Sequence, residues 1–440
     1  MRVIHRLDTV RHMADPLPDQ TDVAVVGAGL AGLACAVRLA AAGLAVTVLE
    51  RADAPGGRVR TDLVDGFRLD RGFQLLNPYY PEARRVLDLA GLALQSLPSA
   101  VVVARHGRRH TLADPRRAGP AELPATLWSG LRAPGGAGSK LALLRWGLGV
   151  HRAPIRRLLD RPDLPWREVA DGYRLTGPLR AVVDSFLAGT LGEADGASSR
   201  RYVELLIRAF LRGAPALPRL GMQAMPDQLA ARLPAGSLHC GVQVERVEAG
   251  RVHTPAGSVT AGTVVVAADP VTGAGLTGLP APTMRSLTTF WHLADDLPTR
   301  SAALHVDADR RGPVLNTVVV SNAAPSYCPD GRALVATSTL GTATDQDTEH
   351  QVRDQVSRIF GCSTRHWELL RADAIAAALP SMAPPFDPRR SVRLAGGLYL
   401  AGDHRDTASI QGALVSGRRA ADAVLAGLGR PVPARTALTG

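Results

Sequence analysis

The sequence predicts an α/β fold whose main sheet is Rossmann-like and binds a dinucleotide. Three observations predict it. An apolar β-forming run, Val23 to Val26, leads straight into Gly27, Gly29 and Gly32 at G-x-G-x-x-G spacing. A second such run, Val46 to Leu49, ends on an acid, Glu50, 23 positions after Gly27. Far down the chain, Gly397 to Ala420 (GLYLAGDHRDTASIQGALVSGRRA) gives another short strand, glycine turn and small-residue helix.

Each element has a physical job. Gly27 permits the tight turn out of the first strand, Gly29 lets backbone approach a pyrophosphate, and Gly32 lets helix and strand pack closely. Leu30 to about Ala42 reads as an amphipathic helix with Leu30, Leu33 and Val37 on one face. The phosphates would face its first N–H groups, at Leu30 and Ala31, and the positive end of its dipole. Glu50 can accept hydrogen bonds from a ribose and would repel a 2′-phosphate, which disfavours NADP. Then comes Ala54-Pro55-Gly56-Gly57-Arg58, a second glycine turn. A simple NAD enzyme has no need of it, whereas a flavin's ribityl chain and ring need a further close backbone approach. Arg58 can add a charge-assisted hydrogen bond there.

Leu69 to Asn77, LDRGFQLLN, puts Gly72 after a short strand, with Phe73 and Gln74 next, against the expected ring. Val242 to Val247 and Thr263 to Pro270 read as two more strands of the sheet, with Val244 meeting the adenine. Leu398 to Ala401 is a strand ending in Gly402-Asp403, and a helix is predicted from Ile410 with Ser409 as its N-cap. Gly412, Ala413, Ser416 and Gly417 are small enough for its first turns to touch a ring. Its N-terminus would face the pyrimidine edge, where a dipole is worth roughly 0.3–1 kcal/mol, or about 10–20 mV for two electrons.

Bulk properties narrow the class. The 440 residues, 46% of them hydrophobic, suffice for a large core and predict two domains or one with an elaborate insertion. No uninterrupted apolar run is long enough to span a bilayer. The N-terminal twenty residues, lacking an apolar core, read as a disordered tail rather than a signal peptide, with Met13 as an alternative start. Cys35, Cys240, Cys328 and Cys362 are scattered, which argues against a metal site or disulfide framework and fits a reducing cytoplasm. The net charge is +11, and Lys140 is the only lysine. The arginines are dispersed and aromatics make up only 4%, which argues against nucleic-acid binding but leaves an anionic membrane surface open.

Together these segments resemble the superfamily of flavin amine oxidases, phytoene desaturases and protoporphyrinogen oxidases. The resemblance rests on VVGAGLAGL, LERADAPGGR, DRGFQ, VVVAADP and YLAGDHRDTASIQGALVSGRRA, and runs from Asp22 to about Leu428. It implies a glutathione-reductase-type, discontinuous FAD-binding domain over 21–77, 215–270 and 389–430. An α+β substrate domain would be inserted as 78–214 and 271–388, with tails at 1–20 and 431–440. Within it Glu50, beside Arg51, takes the adenosine ribose, and Gly56, Gly57 and Arg58 line phosphates and ring. Asp403, after Gly402, holds the ribityl side, and Ile410, Gln411 and Ala413 sit at the pyrimidine end.

The resemblance also sorts among members. Amine oxidases are generally marked by a lysine in the second half that holds a water at flavin N5, and Lys140 lies in the first insertion. Tyr399 is the only aromatic beyond Asp387, so no aromatic pair for an amine is evident. No cysteine follows Cys362, so FAD is expected to be non-covalent. The expectation is a cytoplasmic FAD-dependent oxidoreductase that desaturates a largely apolar small molecule by hydride transfer to N5, with oxygen or another electron acceptor. Alternatives are C–N oxidation without the lysine, a redox-neutral FAD-dependent isomerase, and a flavin-bound scaffold without catalysis.

His404 and Asp406 are the candidate catalytic groups, against a solvated loop with Arg405 in a surface pair. His292 is read as a cavity wall or, more simply, a hydrogen-bonded core histidine. Leu141 to Leu159 carries Leu141, Leu144, Leu148, Ile155 and Leu159 on one helical stripe beside Arg145, Arg152, Arg156 and Arg157, with a break at Pro154. Such a helix covers a core or lies in a membrane interface, giving a peripheral membrane contact.

Overall fold

The computed structural model describes residues 16–113 and 136–433; the candidate start at Met13 lies outside them. At its centre is β1 (Gln20–Val26), which begins within the expected tail. It pairs in parallel with β2 (Val46–Glu50) on one side and with the long strand Gly257–Val266 on the other. Leu238–Cys240 extends the sheet beyond β2, and Leu398–Leu400 extends it beyond Gly257–Val266, both in parallel. Strands buried on both faces read as unbroken apolar runs, and Val23 to Val26, Val46 to Leu49 and Val264 to Val266 are all buried. The first half of Gly257–Val266 instead continues into an antiparallel meander, Arg251–Thr254 and Arg246–Glu248.

This meander corrects one expectation. Only Arg246–Glu248 is strand in the predicted Val242–Val247 stretch. The Gly241 and Val242 amides donate to the Ala52 and Glu50 carbonyls (2.8 Å each), which carries the chain across the end of β2 instead of along it. Val244 therefore sits half-buried in a loop. The strand predicted from Thr263 begins earlier, at Gly257, and ends at Val266; Pro270 opens the helix Pro270–Thr277 instead.

Helix α1 (Leu30–Ala41) lies on this sheet. The sequence predicts one apolar face, yet every residue from Leu30 to Leu39 is buried. The reason is the last helix, Ile410–Gly427, which packs on its outer side so closely that a Cβ at Gly417 would fall on the Ala31 carbonyl. A Cβ at Gly32 would likewise fall on the Gly27 carbonyl oxygen, and one at Gly27 would lie 2.7 Å from the Ala267 carbonyl oxygen.

A second, mixed sheet runs in the order Glu368–Pro380, Met284–Ala294, Ala333–Leu340, Val314–Val319, Leu304–Asp307, Ala100–Arg105, Arg108–Ala113. It draws strands from both stretches expected to hold the substrate domain, joined by the parallel pairing of Leu304–Asp307 with Ala100–Arg105. Helices Ala137–Arg152, Ile155–Leu159, Trp166–Gly172, Gly177–Leu191 and Arg200–Arg212 form a layer around Trp146, Trp166, Leu179, Leu187 and Tyr202. The break at Pro154 is present, but the inward face is Trp146, Val150 and Leu158; of the predicted stripe, Leu141, Leu144 and Ile155 turn outward, Leu148 is half-buried and Leu159 packs against the helical core.

Candidate functional site

The two glycine turns meet backbone to backbone at the C-terminal edge of the parallel sheet. The Gly56 amide donates to the Ala28 carbonyl at 2.8 Å, Gly29 bridges Gly56, and a Cβ at Gly57 would lie 3.4 Å from the Gly29 Cα. Gly56 (φ 128°) and Gly57 (φ 60°) hold backbone that an L side chain rarely adopts. Gly29 differs: its φ is −70°, and a Cβ there would meet no atom within 4 Å. The backbone at Gly29 is therefore open exactly where Leu30 and Ala31 start the helix, a cradle suited to an anion.

Glu50 is buried at the end of β2. Its Oε2 accepts the Ala28 amide at 2.7 Å and its Oε1 the Ala52 amide at 2.8 Å. Each carboxylate oxygen keeps a further acceptor site, so the group can take ribose hydroxyls while staying anchored. Arg51 is exposed beside it, and Val244 packs with Val242 against the sheet near this edge.

On the opposite side, Arg58 donates to Asp403 Oδ1 at 2.7 Å and to the Ala378 carbonyl at 2.8 Å. Burial opposes the Arg58 charge, but the Asp403 carboxylate prevails and raises its pKa. Gly402 precedes Asp403 with φ 153°, and its amide donates to the buried Ser416 hydroxyl at 2.9 Å. The last helix starts as predicted: Ser409 Oγ caps it by accepting the Gly412 amide at 3.0 Å. Ile410 and Ala413 are half-buried in its first turn. Gln411 Oε1 accepts the Glu82 amide at 3.0 Å, which ties the side-chain oxygen to the start of the short helix Ala83–Val86.

Gly72, Phe73 and Gln74 bind the two sheets together. The Phe73 amide donates to Thr289 Oγ1 at 3.1 Å, and Gln74 Nε2 donates to the Arg58 carbonyl at 2.7 Å. A Cβ at Gly72 (φ 82°) would press on Ile375 Cδ1 at 2.7 Å. Asp373, raised in pKa by burial, accepts the Trp291 indole N–H at 3.2 Å and pairs with Arg371 at 2.9 Å.

His404 and Asp406 go different ways. The His404 ring stacks over Gly402, is buried, and has no partner for Nδ1 among the described residues. Burial pushes its pKa down to about 4. Asp406 turns to Arg419 of the last helix at 3.7 Å, and burial raises it to about 6. Arg405 bonds the Ser391 carbonyl, not an acid. His292 is a core residue: fully buried, its Nε2 is 2.9 Å from Glu349, and its ring lies between Phe290 and Trp367.

The depressed His404 pKa has a testable consequence. Below pH ~6.5 the unfolded chain takes up a proton that the native ring refuses, so this group's contribution is full above that pH and is lost as pH falls towards about 4. Relative to His404→Phe, the wild type is expected to lose ~3 kcal/mol in urea unfolding between pH 7 and pH 4. Asp406 works in the opposite sense, its contribution fading as pH rises through about 6, but it is common to both proteins. A pH-independent difference would remove the buried neutral imidazole.

Three neighbouring side chains carry no local signal in the sequence. Tyr202, on Arg200–Arg212, donates its buried hydroxyl to the Ala408 carbonyl at 2.8 Å, one residue before the cap of the last helix. Its ring lies 5.7 Å from Phe386, with Met382 in the same apolar cluster. Only the tertiary fold brings these side chains to the start of the last helix.

A parallel sheet with two abutting glycine turns, an open backbone cradle at Gly29 and a buried carboxylate anchored at the end of β2 is the framework of a protein that holds a flavin dinucleotide. The family described as flavin containing amine oxidoreductase matches residues 30–425, and the chain belongs to that family of FAD-dependent oxidoreductases. It is 49% identical over 69 residues to hydroxyneurosporene desaturase of Rhodobacter capsulatus (16% of this chain, 13% of that protein). It is 42% identical over 95 residues to putrescine oxidase of Kocuria rosea (21% of this chain, 20% of that protein). These matches thus span a fifth or less of the relatives' own lengths. A crystal structure of an oxidoreductase from Methanosarcina mazei shares the fold, with TM-score 0.68 and 18% identity over 90% of this chain and 98% of that one.

Proposed function

We propose that the protein desaturates a largely apolar small molecule, removing a hydride and a neighbouring proton from adjacent carbons. When bound, FAD supplies the hydride acceptor at N5 of its ring. The chain's residues hold and orient. Glu50 takes the adenosine ribose, with Arg51 at the rim and Val244 on the adenine side. The turn at Gly27, Gly29 and Gly32 and the amides of Leu30 and Ala31 take the diphosphate. Gly56 and Gly57 give the close approach, Arg58 reaches the phosphates and ring, and Asp403, after Gly402, offers its second oxygen to the ribityl chain. Gly72, Phe73 and Gln74 back the ring, and Ile410, Gln411 and Ala413 present the helix N-terminus to its pyrimidine edge. The cofactor is held without a covalent bond. His404, kept neutral, is the group that receives the departing proton, with Asp406, turned to Arg419, as the alternative acceptor.

The observation that supports this reading is the buried apolar cluster at Ala408, where Tyr202, Met382 and Phe386 pack beside the cap of the last helix. Apolar side chains packed there suit a hydrocarbon positioned for hydride transfer more than a solvated ammonium. The sole lysine agrees, because Lys140 belongs to the outer helix Ala137–Arg152. The similarity to a putrescine oxidase favours C–N oxidation as the second reading.

One experiment separates them. FAD-loaded protein is mixed without oxygen with a detergent-dispersed linear polyene or, in parallel, with a primary amine. Bleaching of the visible flavin band by the polyene, with a product two hydrogens lighter, is expected. Bleaching by the amine with ammonia release establishes the second reading, and polyene conversion with no bleaching and no acceptor establishes an isomerase.

A further inference from the structure

The outward face of the helix pair Ala137–Arg152 and Ile155–Leu159 is the feature that the flavin site does not use. At 100° per residue, Leu141, Leu144 and Leu148 fall on the side of the first helix opposite Trp146, which packs inward. Leu141 and Leu144 are 56% and 58% exposed, and Ile155, just past the Pro154 break, is 49% exposed. Arg145 and Arg152 flank the stripe on one side, and Arg156 and Arg157 stand beside Ile155; all four are exposed. None of the four forms an ion pair among the described residues, and no Asp or Glu occurs from Ala137 to Leu159. An apolar stripe rimmed by unopposed cations marks an interaction surface, and the charge selects what it meets.

We propose that this face docks on an anionic phospholipid surface. Leu141, Leu144 and Ile155 enter the boundary between headgroups and acyl chains, and the arginines pair with phosphates above them. A second copy of the chain does not fit, because a two-fold contact would set arginine rim against arginine rim. The inner face of the same helix reaches Arg200–Arg212 through Trp146, whose indole donates to Glu204 at 3.3 Å, and that helix carries Tyr202. The docked layer therefore separates the lipid surface from the proposed substrate wall by a single pair of packed helices. This deepens the desaturation reading by giving an apolar substrate a source, and its test needs no turnover.

The test is co-sedimentation of the full-length, FAD-containing chain with extruded vesicles. Partitioning onto phosphatidylcholine vesicles containing phosphatidylglycerol is expected to exceed that onto phosphatidylcholine alone at least tenfold and to weaken with salt. Leu141→Glu/Leu144→Glu should lower it at least tenfold with flavin content unchanged, and Arg156→Gln/Arg157→Gln should lower both the partitioning and its salt dependence. No preference for the anionic vesicles overturns the proposal, as does binding that both variants retain. A dimer in lipid-free light scattering that Leu141→Glu/Leu144→Glu disperses overturns it in favour of self-association. Vesicle binding without bleaching by any apolar substrate would sink the desaturation reading and leave the docking surface standing.

Discussion

Gly29→Val is expected to yield a folded, colourless protein, with FAD affinity lower by at least ~1000-fold, or about 4 kcal/mol. The physical reason is that this glycine matters for the space it leaves rather than for its conformation: its φ of −70° suits any residue, and a Cβ there meets nothing of the protein within 4 Å. The added methyls would stand where the diphosphate must reach the amides that open α1. Gly32 is the contrasting case, since its Cβ would strike the Gly27 carbonyl and damage the fold itself. Flavin absorbance, thermal unfolding and far-ultraviolet circular dichroism of the purified variant decide the matter. Fully loaded FAD in Gly29→Val would remove the cradle from the cofactor site.

Asp403→Ala should raise the FAD dissociation constant ~100-fold, about 2.7 kcal/mol, while Asp403→Asn should raise it less. Two losses combine. The proposed acceptor for a ribityl hydroxyl is gone, and Arg58 loses the partner that holds it at 2.7 Å. The Asp403 side chain is 5% exposed and that of Arg58 30%, so the pair is only partly screened by solvent. Asn keeps an acceptor for Arg58 without the charge. Fluorescence titration of the apoprotein gives the constants, and equal affinity for FAD in wild type and Asp403→Ala would take Asp403 out of the site.

The legible parts were those governed by local rules. Gly27, Gly29, Gly32 and Glu50 sit at fixed offsets because one strand–turn–helix unit dictates them, and Ser409 caps its helix through an interaction three residues long. The parallel strands announced themselves by unbroken apolar runs. What escaped depends on distant partners. The Val242–Val247 stretch alternates like a strand, but amide bonds to Ala52 and Glu50 draw it off the sheet. The outward leucines of Ala137–Arg152 mimic a core stripe, because periodicity gives the face without saying which side is the inside. The sequence suggests a phosphate role for Arg58 but gives no sign of its pairing with Asp403, and Tyr202 gives no signal because its acceptor, Ala408, is 206 positions away. His292 could be placed only once Glu349 was opposite it.

The order of strands also constrains how the chain can be made. Both sheets are closed late: β1 waits for Gly257–Val266, that strand for Leu398–Leu400, and the second sheet for Glu368–Pro380. During synthesis the β1–α1–β2 unit therefore emerges long before the strand that covers its far edge, and its unpaired valines are open to wrong partners. With pairings that span so much of the chain, neither sheet can be completed before its late strands are available. The proposed flavin site, which draws on Gly29 and Asp403 together, is complete only once these late strands are in place.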